Sequence, residues 1–157
     1  MKKLGIIGAV VIVLFIAIIL LTNLSNKDKL TDNPYGTDNL RQSTIDLLDN
    51  ENYQNIILPE ALEEKIAAGG PVVAYMFSPE CPHCMKMTPS LMPIADEVGV
   101  QVDQLNILEY DKGWNEYNIE ATPTLIYFNE GKEVSRLVGD YSSNEQVIHD
   151  FLGQVTK

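Results

Sequence analysis

The chain has 157 residues, 45% of them hydrophobic and 21% charged, with a formal net charge of -11. That length holds one domain, or one domain plus an appendage, and the apolar content is too high for a disordered tail. The negative balance excludes a role that grips nucleic-acid phosphates, and two cysteines are too few for a disulfide-rich scaffold but enough for one redox pair.

Leu4 to Leu21 is an unbroken run of eighteen apolar or glycine residues. As a helix it rises roughly 27 Å, close to the ~30 Å of a bilayer's hydrocarbon core. A buried core helix would carry a polar face, and this run has none. Lys2 and Lys3 precede it and place the N-terminus in the cytoplasm. The run exceeds the ordinary core of a signal peptide, and Thr22-Asn23-Leu24-Ser25 offers no small-residue cleavage site. It reads as an uncleaved signal anchor over residues 1–24, with a cleaved secretory signal as the competing reading. Either puts the remainder outside the cytoplasm, at a cell membrane crossed once. That remainder holds nine basic residues against 22 acidic ones, a solvated surface that stays off anionic lipid.

Residues 25–40 are polar, rich in Asn and Asp, and lack an apolar period, which predicts a tether. A folded domain is expected over residues 41–157. Thr44 to Leu48 suits a short helix, and Ile56-Ile57-Leu58 a short edge strand. Pro59 fits the first turn of a helix through Ala68, stopped by Gly69-Gly70. Pro71 to Phe77 is a nearly continuous apolar run between breakers, the pattern of a central strand covered on both faces. The next helix runs from about Cys81 toward Val98 and ends at Gly99, with Pro89 expected to kink it. Val100 to Ile107 reads as a strand, Asp111 to Tyr117 as a short helix or turn, and Thr124 to Phe128 as a second strong strand. Asn129 to Lys132 predicts a hairpin turn into a strand over Glu133 to Val138. Ser143 with Gln146 fits a capping box for a last helix bearing Val147, Ile148, Phe151, Leu152 and Val155. Strands alternating with helices, closed by a hairpin, predict an α/β fold with a mixed central sheet flanked by helices.

Cys81-Pro82-His83-Cys84 stands where a strand gives way to a helix. In that context the C-x-x-C spacing favours redox chemistry. The free N–H groups of a helix start stabilise a thiolate but not a thiol, so Cys81 is the candidate nucleophile. Cys84 lies one turn deeper, within disulfide reach, and is the candidate resolving thiol. Pro82 removes a backbone donor and fixes the turn, while His83 can be cationic and favour the thiolate. A zinc site would need two ligands beyond the cysteines, and only His83 and His149 are available. Covalent haem needs a histidine where Met85 stands. No metal and no cofactor are expected. A purely structural disulfide is the competing reading, although so short a loop restrains few chain conformations.

The domain resembles a thioredoxin. Cys81 to Cys84 matches that family's active-site motif, Pro89 its helix-kinking proline, and Ala121-Thr122-Pro123-Thr124 its cis-proline loop. Asn129 to Lys132 matches its hairpin and Gly139 the glycine after its last strand, so the likeness spans about residues 55–157 in order. The resemblance implies a thioredoxin fold, a cis bond before Pro123, and pairing of the Thr122 backbone with an extended substrate peptide beside the disulfide. Glu80 precedes Cys81 where the family carries tryptophan, and the Pro-His pair resembles DsbA-type thiol oxidases. Pro123 comes only 39 positions after Cys84, which leaves no room for the helical domain those oxidases insert. Tyr75 and Gln104 stand where the family's buried acid and its lysine partner are found; Glu80 and Glu109 are candidate substitutes for handling the Cys84 proton, with an exposed, solvated role the favoured reading of each. The architecture is also similar to membrane-anchored thioredoxin-like proteins of Gram-positive bacteria, including bacteriocin transport accessory proteins.

These features predict an extracytoplasmic thiol-disulfide oxidoreductase that exchanges a Cys81–Cys84 disulfide with exported proteins and aids disulfide formation. Its expected partners are those clients, a membrane protein or small-thiol pool that resets the pair, and the bilayer around the N-terminal helix. No nucleic acid is expected, and a monomer is, since no separate dimerisation domain is visible. Two alternatives stand beside it: a tethered reductase of the cytochrome-maturation type, and a non-catalytic peptide-binding module for export.

Overall fold

The computed structural model describes residues 2–155, with the side chains of residues 2–5 and 9 outside that description; the orientation expected from Lys2 and Lys3 therefore rests on side chains outside the described residues. The chain divides into two units, Met1–Asn39 and Leu40–Lys157.

The first unit is dominated by α1 (Lys2–Leu30). Its stretch Ile6–Leu30 is long and apolar enough to cross a membrane. The described side chains from Ile6 to Ser25 are exposed on every face. Where the composition predicts a tether from residue 25, the helix continues to Leu30. No Gly or Pro interrupts residues 22–30, and Lys27 and Lys29 favour the negative end of the helix dipole. The Thr31 hydroxyl donates to the Lys27 carbonyl (3.1 Å) and the Asn33 amide to that of Leu30 (2.7 Å), supplying partners that a last turn otherwise lacks.

The second unit opens with α2 (Gln42–Ile45) and a 3-10 turn over Glu51–Tyr53. Next come α3 (Pro59–Ala67), β1 (Val72–Phe77), α4 (Pro82–Val98), β2 (Val102–Asn106) and α5 (Gly113–Glu116). The hairpin β3 (Thr124–Asn129) and β4 (Lys132–Val138) and the helix α6 (Glu145–Leu152) complete it. The sheet has the order β2-β1-β3-β4, with β1 parallel to β2 and antiparallel to β3, and β3 antiparallel to β4. It is the mixed sheet expected, flanked by helices.

All six residues of β1 are buried because both faces of the sheet are covered. On one face Val73, Tyr75, Phe77 and Leu125 pack with Met87 and Leu91 of α4 and with Ile148, Phe151 and Leu152 of α6. On the other Val72, Ala74, Met76, Leu105 and Ile126 pack with Leu62 of α3. The period of two along β1 thus serves two cores at once.

The edge strand expected at Ile56–Leu58 does not form. Ile56 makes one parallel bridge to Gln104, with the Ile57 N–H donating to the Gln104 carbonyl at 3.0 Å. Leu58 then turns to cap α3 and Pro59 has no N–H to extend a ladder. The capping box is absent too. Asn144 occupies the cap of α6 without a side-chain bond, and Gln146 donates instead to Asp150 at 2.9 Å. The loop before α6 is organised by Asp140, described below. α4 runs unbroken through Pro89 and Pro93 and ends at Gly99, whose left-handed backbone (φ 70°) suits glycine. The hairpin turns on Glu130 and Gly131, both at positive φ, as a two-residue connection requires.

Candidate functional site

Cys81 lies at the N-cap of α4, directly beyond β1, and is half-buried; Cys84 lies on the first turn and is fully buried. Both are free thiols. The Cys81 sulfur takes the place of a capping oxygen and accepts the Cys84 N–H at 3.2 Å. Pro82 sits at the first helical position, where its missing N–H costs no hydrogen bond.

The Thr122–Pro123 bond is cis, and the Thr122 carbonyl faces Cys81, whose thiol donates to it at 3.3 Å. The Gly139 N–H, just past β4, donates to the Pro123 carbonyl at 2.8 Å. Residues from three separated parts of the chain therefore meet at one end of the sheet: the first turn of α4, the cis-proline loop and the turn after β4.

The environment separates the two sulfurs. Partial burial pushes the Cys81 thiol up, but hydrogen bonds from the Cys84 thiol, from Thr122, and from the Cys84 and His83 backbone outweigh it, so the net shift is downward. For Cys84 burial dominates, aided by its hydrogen bond toward Cys81, and the thiol is pushed up to about 12. At pH 7 such a group is protonated. Cys81 is the more readily ionised sulfur, and Cys84 is held as a thiol.

Beneath Cys84 lies a phenol rather than a carboxylate. Tyr75 is fully buried, its ring stacked on Phe77, and its hydroxyl is 3.1 Å from that of Thr88, which donates to the Cys84 carbonyl at 2.9 Å. Burial, reinforced by Cys84, raises the phenol well above its ordinary range. Gln104, paired with Tyr75 across β1 and β2, is consumed by backbone: its amide donates to the Asn52 carbonyl (2.8 Å) and accepts the Asn55 N–H (3.2 Å).

Glu80 and Glu109, the two acids offered by the sequence for proton handling, are both engaged by α2 and the residue before it. The Ser43 hydroxyl donates to Glu80 at 3.2 Å and Arg41 pairs with it at 3.7 Å. Glu109 accepts the Thr44 hydroxyl (2.5 Å) and the Arg41 N–H (2.9 Å). Met87 is buried core and Met85, half-exposed, receives the Tyr53 hydroxyl at 3.4 Å. Trp114 is on α5 and His149 on α6.

A partner missed by sequence reasoning is Asp140. Its Oδ2 lies 3.5 Å from His83 Nδ1, while its Oδ1 accepts the Ser142 N–H (3.0 Å) and hydroxyl (2.7 Å). The only available hint was its place directly after Gly139.

A family model described as Thioredoxin matches residues 49–153. Thioredoxin of Chlamydia pneumoniae is 32% identical over 96 residues, covering 60% of this chain and 84% of that one. A putative thioredoxin H10 of Arabidopsis thaliana is 34% identical over 95 residues, covering 55% and 60%. A putative protein disulfide-isomerase of Schizosaccharomyces pombe is 31% identical over 83 residues, 17% of its length. Among solved structures, Malassezia sympodialis thioredoxin superposes with a TM-score of 0.57 at 20% identity, covering 65% of this chain and 92% of that one. Mitochondrial thioredoxin 3 of Saccharomyces cerevisiae gives 0.52 at 17% identity, covering 59% and 86%. On its sequence match and its fold, the chain belongs to the thioredoxin family.

Proposed function

We propose that this thioredoxin-family redox protein is a membrane-anchored thiol-disulfide oxidoreductase, with its folded domain on the extracytoplasmic side, and that it donates disulfides to exported proteins. The observation that carries the reading is the opposite displacement of two thiols three residues apart, Cys81 down and Cys84 up to about 12. A structural bridge would have no use for that difference. A nucleophile with a resolving partner requires it.

In the oxidising direction a client thiolate attacks the Cys81 sulfur of the Cys81–Cys84 disulfide. That S–S bond breaks, and Cys84 takes its electron pair and a proton. A second client thiolate then attacks the client sulfur of the mixed disulfide and expels Cys81 as a thiolate. The client loses two electrons and two protons; the cysteine pair gains both electrons and, at Cys84, one proton, and the second proton passes to solvent. A low-pKa thiol is the better leaving group, so the Cys81 environment favours release in this direction. Thr122 and Pro123 form the wall against which an extended client segment lies, and Pro82 and His83 shape the turn. A membrane protein that accepts two electrons, or the disulfide form of a small-thiol pool outside the cytoplasm, returns the pair to the disulfide.

The anchor is α1, the stretch long and apolar enough to span. The Lys2-Lys3 pair, ahead of the apolar run, supports the assigned side.

The equilibrium reduction potential of the full chain tests the direction. A value above about -150 mV supports donation, whereas one near thioredoxin's roughly -270 mV makes the protein a reductase.

A further inference from the structure

The exchange reaction proposed above uses both sulfurs and the cis-proline loop but leaves unexplained the carboxylate that reaches the motif from the far end of the domain. Asp140 follows β4, 57 residues beyond His83. Its side chain is only 15% exposed, against 67% for His83. The two carboxylate oxygens have separate partners. Oδ1 is fixed by the N–H and hydroxyl of Ser142, at 3.0 and 2.7 Å, which leaves Oδ2 directed at His83 Nδ1, 3.5 Å away. Gly139 makes the approach possible: its φ of 106° is open to glycine, and its N–H is tied to the Pro123 carbonyl at 2.8 Å.

The contacts close a ring around the reactive sulfur. Cys81 meets the Thr122 carbonyl, Pro123 meets Gly139, and Asp140 meets His83, which is two residues from Cys81. Within that ring His83 is the only basic side chain between the two cysteines. On its own, a carboxylate near a thiolate disfavours it by repulsion. Paired with the imidazole when that ring is protonated, the same carboxylate keeps a positive charge on the first turn of α4, two residues from Cys81. The Asp140 carboxyl itself reflects this. Burial pushes it up, but the bonds from Ser142 and then the pairing with His83 leave it below the usual carboxylate range.

We propose that Asp140 is a positioning residue for the exchange reaction: by pairing with His83 it fixes the imidazole beside the first turn of α4 and so favours the Cys81 thiolate and the reduced form of the pair.

A double-mutant cycle on the thiol-disulfide equilibrium with glutathione, at pH 7 on the full chain in detergent micelles, tests this. The proposal rests on the redox reading, and the wild-type protein checks that reading first: no equilibrium with glutathione at all would sink the reading itself, whatever the variants do. Given a wild-type equilibrium, Asp140→Asn shifts it toward the disulfide by roughly two- to fivefold, the size of a partly exposed ion-pair coupling. In a His83→Ala background the same substitution has no effect or reverses sign, because only the bare repulsion of the carboxylate is then removed. An equal shift in both backgrounds, or none in either, overturns the proposal. If Asp140→Asn does not fold, Ser142→Ala keeps the carboxylate but releases it, and its shift must likewise depend on His83.

Discussion

The two ends of α4 share one helix and differ in what holds them. At the first turn, the N-cap is a sulfur, the neighbouring side chains Pro82 and His83 are exposed, and the contacts come from the cis-proline loop and the turn after β4. In the second half, Leu91, Met92, Ile94 and Ala95 are buried against the sheet and α6, and Gly99 closes the helix. Polar contacts that differ between protonation states govern the first end, and packed apolar area governs the second. A helix buried at one end and open at the other can therefore carry a reactive group without loosening the core that supports it.

Three measurements would break or sharpen that contrast. The largest effect is expected at the first turn. Cys81→Ser should reduce disulfide exchange to the uncatalysed background while leaving the unfolding midpoint nearly unchanged. Persistence of client processing in cells with this variant would turn the protein into a binding module. At the other end, Leu91→Ala should cost about 2–5 kcal/mol in denaturant unfolding, since the side chain is fully buried, yet the folded fraction should retain normal exchange. An exchange defect larger than the folded fraction accounts for would show that the two ends are coupled.

The third effect is an additional alkaline pH dependence in the reduced protein. The Cys84 thiol is raised from its ordinary 9.0 to about 12 in the folded chain. Between those values the unfolded chain releases a proton that the folded chain keeps, so reduced-state stability falls as pH rises through that window. The disulfide form has no such proton to lose, and the buried Tyr75 phenol contributes to both forms. Parallel alkaline curves for the two redox states would mean that Cys84 is not the neutral buried thiol described here.

Much of the site was legible because its parts are local. Strand, turn and helix follow in order around Cys81, so the N-cap sulfur and its exposure could be read from the spacing and the apolar run before it. The cis bond at Pro123 followed from the resemblance in Ala121 to Thr124. What failed to read depended on distant chain. Ile56–Leu58 has strand composition, but Pro59 and the turn into α3 leave it a single bridge. Ser143 and Gln146 have the right spacing for a capping box, but Ser142, fixed by Asp140, organises the entry to α6 differently. The partners of Glu80 and Glu109 also come from distant chain, since α2, with Arg41 just before it, engages both carboxylates.

The sequence by itself determined the apolar span, the alternation of strands and helices, and the place of the two sulfurs, because each depends on side-chain periodicity or on neighbours within one turn. Only the tertiary structure decided how far apart the two thiols stand in acidity, what lies beneath Cys84, and that Asp140 reaches His83. Those depend on burial and on distances of a few ångströms between segments dozens of residues apart, and electrostatic energy changes steeply over such distances in a low-dielectric interior.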